Sequence, residues 1–182
     1  SFMKKLLVLL STIATISSSY ALADGMNNVG ANNLYLGISS GASWNDIAYP
    51  AAAFRFDGGY KFNEYFAFEV GSTGITQAGT TPNRGMRYYD ASLKMTLPMM
   101  DLFNLFAQVG GAYGTPGVDA TGGTYVINPE SNKAGWNFLT SMGAEINLTK
   151  EVSLNITDHY YWGGVNPQGN TNVLLGGFKF NF

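Results

Sequence analysis

The chain has one histidine, His159, and it stands beside Asp158. An imidazole oriented by a carboxylate, with a serine in reach, is the material of acyl-transfer chemistry. Ser141 and Ser153 are the relevant serines, because period-two alternation puts them on the same face as His159. The same alternation sends Asp158 to the opposite face, and both serines are expected at heights different from that of His159. No G-x-S-x-G elbow exists. His159 is therefore read as a polar residue lining an interior, and no catalytic residue is assigned. It has no second histidine or cysteine with which to hold a transition metal. The absence of cysteine also excludes disulfides. Asp119 and Glu130 would be calcium ligands only if brought together, and scattered loop carboxylates are ordinarily just solvated. No cofactor and no metal are expected.

Seven other ionisable residues share a pattern. Arg55, Asp57, Glu69, Asp90, Lys94, Glu145 and Lys179 each sit inside a run that alternates apolar and polar residues. Charged residues make up only 12% of the chain, about half the usual ~25%, while aromatics reach 14%. Charge this sparse is not spread over a solvated surface, so what positions it matters.

The first segment is read as a leader, not as part of the fold. Ser1 and Phe2 precede Met3; Lys4 and Lys5 then introduce an apolar core from Leu6 to Ile16, which ends in Ser17-Ser18-Ser19 ahead of an A-x-A cleavage site at Ala21-Leu22-Ala23. This is the form of a cleavable signal peptide, residues 1–23, and it implies export. Its removal would change the formal charge from −2 to (10 − 2) − 12 = −4, which gives no reason to expect nucleic-acid binding. Residues 24–32 form a short periplasmic lead-in, and residues 33–182 carry the remaining pattern.

That pattern is eight alternating runs, at 33–44, 51–60, 65–75, 86–97, 102–113, 134–148, 152–162 and 172–182. Each is about the length that a tilted strand needs to cross a bilayer. In the second run Phe54, Phe56 and Tyr60 oppose Arg55 and Asp57; in the fourth, Tyr89, Ala91, Leu93 and Met95 oppose Asp90, Ser92 and Lys94. Connections alternate as well, short at 61–64, 98–101 and 149–151, longer at 45–50, 76–85, 114–133 and 163–169. The expected fold is all-β: an eight-stranded antiparallel up-and-down transmembrane β-barrel. Asn147 and Asn155 match the glycosylation pattern, but inside barrel strands they carry no weight.

Alternation does not by itself say which face meets water. Composition decides: the polar set is Ser, Thr, Asn and Gly with three cations and four anions, the near-neutral mixture of an enclosed ion-pair network. Asp57, Glu69, Lys94, Glu145 and Lys179 fall toward the short-turn half. Tyr60, Tyr65 and Phe66 cluster at the short turns, and Trp44, Tyr89, Trp136 and Trp162 toward the longer loops, as two interfacial girdles. Phe106, Tyr88, Arg55 and Lys94 are expected to fill the interior, with Gly37, Gly59, Gly71, Gly110 and Gly143 leaving small water pockets but no channel.

On these residues the chain resembles the OmpA/OmpX/opacity-protein superfamily of outer-membrane barrels. "LFAQVGGAYG" is similar to the fifth-strand segment of that superfamily, and "GAEINLTKEVSLNITDHYYW" to its sixth strand, turn and seventh strand. The terminal "GFKFNF" resembles the barrel-assembly signal, here Leu174, Phe178, Phe180 and Phe182. Unlike full-length OmpA, the chain is expected to carry no peptidoglycan-binding domain after Phe182. The resemblance implies a place in the bacterial outer membrane. It implies outer-membrane lipid and lipopolysaccharide as surroundings and the barrel-assembly machinery as a partner in biogenesis. It also implies a non-enzymatic structural, adhesion or host-interaction role through the loops. Tyr125, Val126 and Ile127, in the longest loop, are the candidate contacts for an unknown host or surface ligand. The alternatives are a lipid-modifying enzyme that uses His159 and a soluble lipocalin-like binding barrel.

Overall fold

The computed structural model describes residues 33–45, 51–76, 85–100, 102–116, 134–163 and 170–182. The signal peptide, the lead-in, Asp119, Glu130 and the Tyr125–Ile127 segment lie outside the described residues. Eight strands follow one another in the chain: β1 (Leu34–Asn45), β2 (Ala51–Lys61), β3 (Phe66–Thr76), β4 (Gly85–Met100), β5 (Phe103–Pro116), β6 (Gly135–Asn147), β7 (Val152–Trp162) and β8 (Thr171–Asn181). Every neighbouring pair is antiparallel, and β8 pairs with β1, so the sheet closes on itself. Closure satisfies every edge, which is what a sheet surrounded by hydrocarbon requires. Backbone pairing continues past the last strand residue, where Phe182 N donates to Leu34 O at 2.8 Å.

The strands are staggered. Paired residues traced once around the barrel from Leu34 run through Tyr60, Phe68, Leu93, Val109, Thr140, Tyr160 and Asn172 and return to β1 at Trp44. The offset is 44 − 34 = 10 residues. Such a shear forces a strand tilt of about 35–45°, and an eight-stranded barrel at that tilt has an interior only wide enough for side chains.

Local chemistry sets the short turns. Asn63 Oδ1 accepts from the amides of Tyr65 and Phe66, both at 2.8 Å, bending the chain between β2 and β3. Thr149 Oγ1 does the same for the amides of Glu151 and Val152, both at 3.1 Å, between β6 and β7. β4 and β5 run longer than the alternation implies. They keep pairing from Met86–Pro116 to Met100–Phe103, with a register shift between Pro98 and Met100. Pro98 has no amide to give the ladder, so an irregularity there is where the physics places one.

Neighbouring residues show the sidedness. Phe56 is 63% exposed, and Arg55, next to it, is 2% exposed. Leu36, Phe54, Phe68, Leu93, Leu105, Phe138, Ile156, Phe178 and Phe180 join Phe56 on the outside. Such a wall faces hydrocarbon, not water, which removes the soluble lipocalin-like alternative. Met95 and Ala107 keep the outward parity yet are buried. They pair with each other, and Met95 also pairs with Phe66, so they are sheltered sideways along the wall.

Candidate functional site

The lumen holds the charged residues that the alternation set apart. Arg55 from β2 is central. Its guanidinium grips Asp90 of β4 with two parallel bonds, Nη1 to Oδ2 at 2.6 Å and Nη2 to Oδ1 at 2.8 Å. Nη2 also donates to Glu69 Oε1 of β3 at 3.3 Å, Nη1 to Thr73 Oγ1 at 2.9 Å, and Nε lies 3.6 Å from Asp57 Oδ1. This fork-on-fork geometry is what arginine supplies and lysine does not. Glu69 is shared further: its Oε2 accepts from Lys179 Nζ of β8 at 3.0 Å and from Tyr35 OH of β1 at 2.7 Å.

Lys94 and Glu145 form a separate pair at 3.0 Å. Ring contacts join this pair to the rest. Lys94 Nζ sits 4.0 Å and Lys179 Nζ 5.5 Å from the centroid of the same Phe106 ring. All seven charged residues are buried. Asp57 Oδ2 has no partner among the described residues. Replacing Lys94 with methionine leaves Glu145 without its cation in a closed space. Urea titration in vesicles is expected to read a loss of about 2 kcal/mol, smaller than for a fully sealed pair. A titration curve that matches the unsubstituted protein would show that Glu145 finds water instead.

Lys61 was absent from the expected set. It lies half-buried at the end of β2, donates to Asn181 Oδ1 at 2.6 Å and stands 5.7 Å from the Tyr35 ring. It is a fourth cation beside four interior anions. Its parity matches that of Arg55 and Asp57, so the signal is present; the expected run ends at Tyr60, one residue short of the strand's end at Lys61. Tyr35 and Tyr161 are likewise inward by parity and went unassigned because the runs were read for their polar members.

Above the charges, toward the long loops, aromatic and small apolar side chains close the lumen. Tyr88 and Tyr161 stack with centroids 4.0 Å apart and planes 8° from parallel. Tyr161 OH lies 3.0 Å from Thr73 Oγ1 and donates to Asp90 at 3.3 Å, tying this layer to the ion pairs below. Tyr88 OH lies 3.2 Å from Thr171 Oγ1. Ala53, Ile75, Ala112, Leu139, Val173 and Leu175 pack with the two tyrosines.

Two expectations need correction. The inward glycines do not leave water pockets. A Cβ on Gly37 would strike the Asp57 carboxylate, one on Gly59 the Tyr35 ring, one on Gly71 the Arg55 guanidinium, and one on Gly143 the Phe106 ring. These glycines are clearance for large neighbours, and the space is taken. Nor do Ser141 and His159 differ in height. They are direct cross-strand partners, and Ser141 Oγ lies 2.6 Å from His159 Nδ1. Both residues are nonetheless buried inside the barrel, His159 only 2% exposed. Asp158 faces the outer wall, so the third member of a relay is on the wrong side. Ser153, six residues from His159 on the same strand, bonds instead to Asn147 at 3.0 Å. Among the described residues, no group of three or more His, Cys, Asp or Glu is placed to hold a metal ion.

A closed sheet of eight tilted strands, apolar outside and ion-paired within, defines a transmembrane β-barrel of a bacterial outer membrane. The family model for the OmpA-like transmembrane domain matches residues 29–173, and the chain belongs to that family. Among solved structures the chain is similar to Neisserial surface protein A, with 14% identity and a TM-score of 0.67 over 84% of this chain and 98% of that one. It is also similar to the attachment invasion locus protein Ail of Yersinia pestis in complex with the heparin analogue sucrose octasulfate. There the identity is 11% and the TM-score 0.56, over 83% of this chain and 97% of that one. The outer membrane enzyme PagL is similar at 13% identity and a TM-score of 0.53, over 81% of this chain and 99% of that one. At these identities the likeness is one of fold. No curated protein sequence matches the chain.

Proposed function

We propose that this protein is a non-enzymatic outer-membrane barrel that acts through its extracellular loops, in a structural, adhesion or surface-contact role. The observation that carries the reading is the filled lumen. Among the described residues, an ion-pair layer and a tyrosine layer occupy it, which supports neither solute passage nor substrate binding within the strands. What remains for contact outside the cell is the loops. Between the strands they carry Arg84 and Lys133 against Asp46, Asp119 and Glu130, a net charge of 2 − 3 = −1. This balance disfavours a polyanion such as the heparin analogue bound by Ail. It favours neutral contacts, for which Tyr125, Val126 and Ile127 are the proposed residues. The membrane-facing partners of this reading are outer-membrane lipid and lipopolysaccharide. The assembly role of Leu174, Phe178, Phe180 and Phe182 belongs to the same proposal.

The test is surface expression in a non-adherent Gram-negative strain. Attachment to epithelial cells is expected to rise, and to fall back when residues 117–133 are replaced by a short Gly/Ser linker. Attachment equal to that of the empty strain would sink the adhesion reading. A second reading, a lipid-modifying hydrolase, draws on the Ser141–His159 hydrogen bond. It requires lipid to reach a pair sealed inside the barrel. A change in the membrane lipid profile on expression, abolished by Ser141→Ala, would support it over the first.

A further inference from the structure

Among the described strand residues, the cations Arg55, Lys61, Lys94 and Lys179 turn into the lumen. Arg87 of β4 does not. It stands next to the buried Tyr88, has the opposite parity and is exposed on the outer wall. No described carboxylate pairs with it. A guanidinium on that wall is costly among acyl chains and useful among head groups, so its height decides its meaning.

The stagger gives that height. At ~3.3 Å per residue, ~4.8 Å between strands and a tilt near ~40°, one residue along a strand rises about 2.5 Å and one step to the next strand about 3.1 Å. Counted from Leu34 through the paired residues, Trp44 stands about 25 Å up, Trp136 about 26 Å and Trp162 about 24 Å. Arg87 is 93 − 87 = 6 residues beyond Leu93, which puts it at about 24 Å. The three tryptophans mark one interfacial belt, and Arg87 lies in it, at the level of head groups.

The side chain has a setting there. Its Nη1 donates to Tyr89 OH at 3.3 Å. Tyr89 is the cross-strand partner of Tyr113, whose ring meets that of Trp136 edge-on with centroids 5.3 Å apart. Because its oxygen accepts from Arg87, the Tyr89 hydroxyl keeps its own hydrogen to donate elsewhere. On the other flank Arg87 pairs with Gly74 of β3, where a Cβ would meet nothing within 4 Å. The wall beside the guanidinium is therefore open.

We infer that Arg87 and Tyr89 bind the phosphomonoester of a lipid in the loop-side leaflet. The guanidinium offers two parallel N–H donors to two phosphate oxygens, and the phenol offers a third donor. A phosphomonoester presents three terminal oxygens and about 1.5 to 2 negative charges. The phosphodiester of a glycerophospholipid presents two such oxygens and a single charge, so the donor set fits the monoester better. The inference rests on the membrane-facing part of the reading above and is independent of what the loops bind.

The test is native mass spectrometry of the folded full chain in detergent, with three probes of matched acyl chains: a diglucosamine lipid bearing one phosphomonoester, the same lipid dephosphorylated, and phosphatidylglycerol. The phosphomonoester probe is expected to bind at least about tenfold more tightly than either of the others. Arg87→Gln should bring the three to within about twofold of one another, and Tyr89→Phe should cut the preference about threefold. Lys150→Gln, which removes an exposed cation at the short-turn end, should leave the preference unchanged. All three side chains are exposed, so the heat-dependent gel shift of the folded barrel is expected in every variant, and that shift in the unsubstituted protein tests the barrel separately from the site. Equal binding of the phosphorylated and dephosphorylated lipids would overturn the inference. So would a preference that survives Arg87→Gln, one that Lys150→Gln abolishes as well, or phosphatidylglycerol binding as tightly as the monoester.

Discussion

Replacing Arg55 with methionine is expected to cost the folded barrel about 3–5 kcal/mol in a bilayer. The side chain is flexible and of similar length, so the loss is electrostatic more than steric. Three carboxylates lean on this one guanidinium: Asp90 through two bonds, Glu69 through one, and Asp57 at 3.6 Å. Glu69 keeps Lys179 and Tyr35 when Arg55 is gone, but none of the ion pairs described here gives Asp90 another cation. The cost should therefore fall mainly on Asp90. Adding Asp90→Asn to Arg55→Met is expected to recover part of the stability, because the stranded charge is removed along with its partner. Arg55→Lys should fall between, since an ammonium reaches one carboxylate but does not reproduce the fork. Urea titration of tryptophan fluorescence in phospholipid vesicles reads all three. Arg55→Met within 1 kcal/mol of the unsubstituted protein would mean that water enters and solvates the carboxylates.

How much of this was legible in the sequence follows from the period of the strand. A strand that is apolar on one side and polar on the other shows its sidedness at every residue, so Phe54–Arg55–Phe56–Asp57 announces both the wall and the lumen. Closure and shear are another matter. They depend on which residue of β8 meets which residue of β1, about 140 positions away in the chain, and the alternation is the same at every even register. Ion-pair identities share that ignorance: parity put Arg55 and Asp90 inside, but only the stagger puts them side by side. The Ser141–His159 bond is different, because it is local. Lys150, at the middle of the turn, is nine residues from each, as 150 − 141 = 159 − 150, so an antiparallel hairpin must pair them directly. The expectation of different heights failed because equal counts from the turn put the two residues level as direct partners. The tyrosine layer was half legible. Tyr88 was assigned inward, but its stacking partner sits in "HYYW", where two adjacent tyrosines on opposite faces blur the period.

Tyr161→Ala is expected to be nearly as damaging as loss of Arg55, at about 3–5 kcal/mol, for a different reason. The ring is buried, stacks on Tyr88, and fills the lumen where Ala53, Leu139 and Val173 close around it. Truncation leaves a cavity that walls built on hydrogen-bonded strands cannot collapse to fill. Tyr161→Phe keeps the ring and loses only the hydroxyl contacts with Thr73 and Asp90, so a cost of about 1 kcal/mol is expected. The gap between the two substitutions measures packing apart from hydrogen bonding. Equal costs would assign the whole effect to the hydroxyl. The same variant separates the two closures of the lumen. With the ring gone, the loop-side half opens, but the Arg55 layer beneath it still spans β2, β3 and β4 and is met from β8 by Lys179. Planar-bilayer recordings of Tyr161→Ala should therefore stay silent. A steady current through that variant would show that the ion-pair layer lets ions pass, and that the tyrosine stack alone keeps the barrel shut.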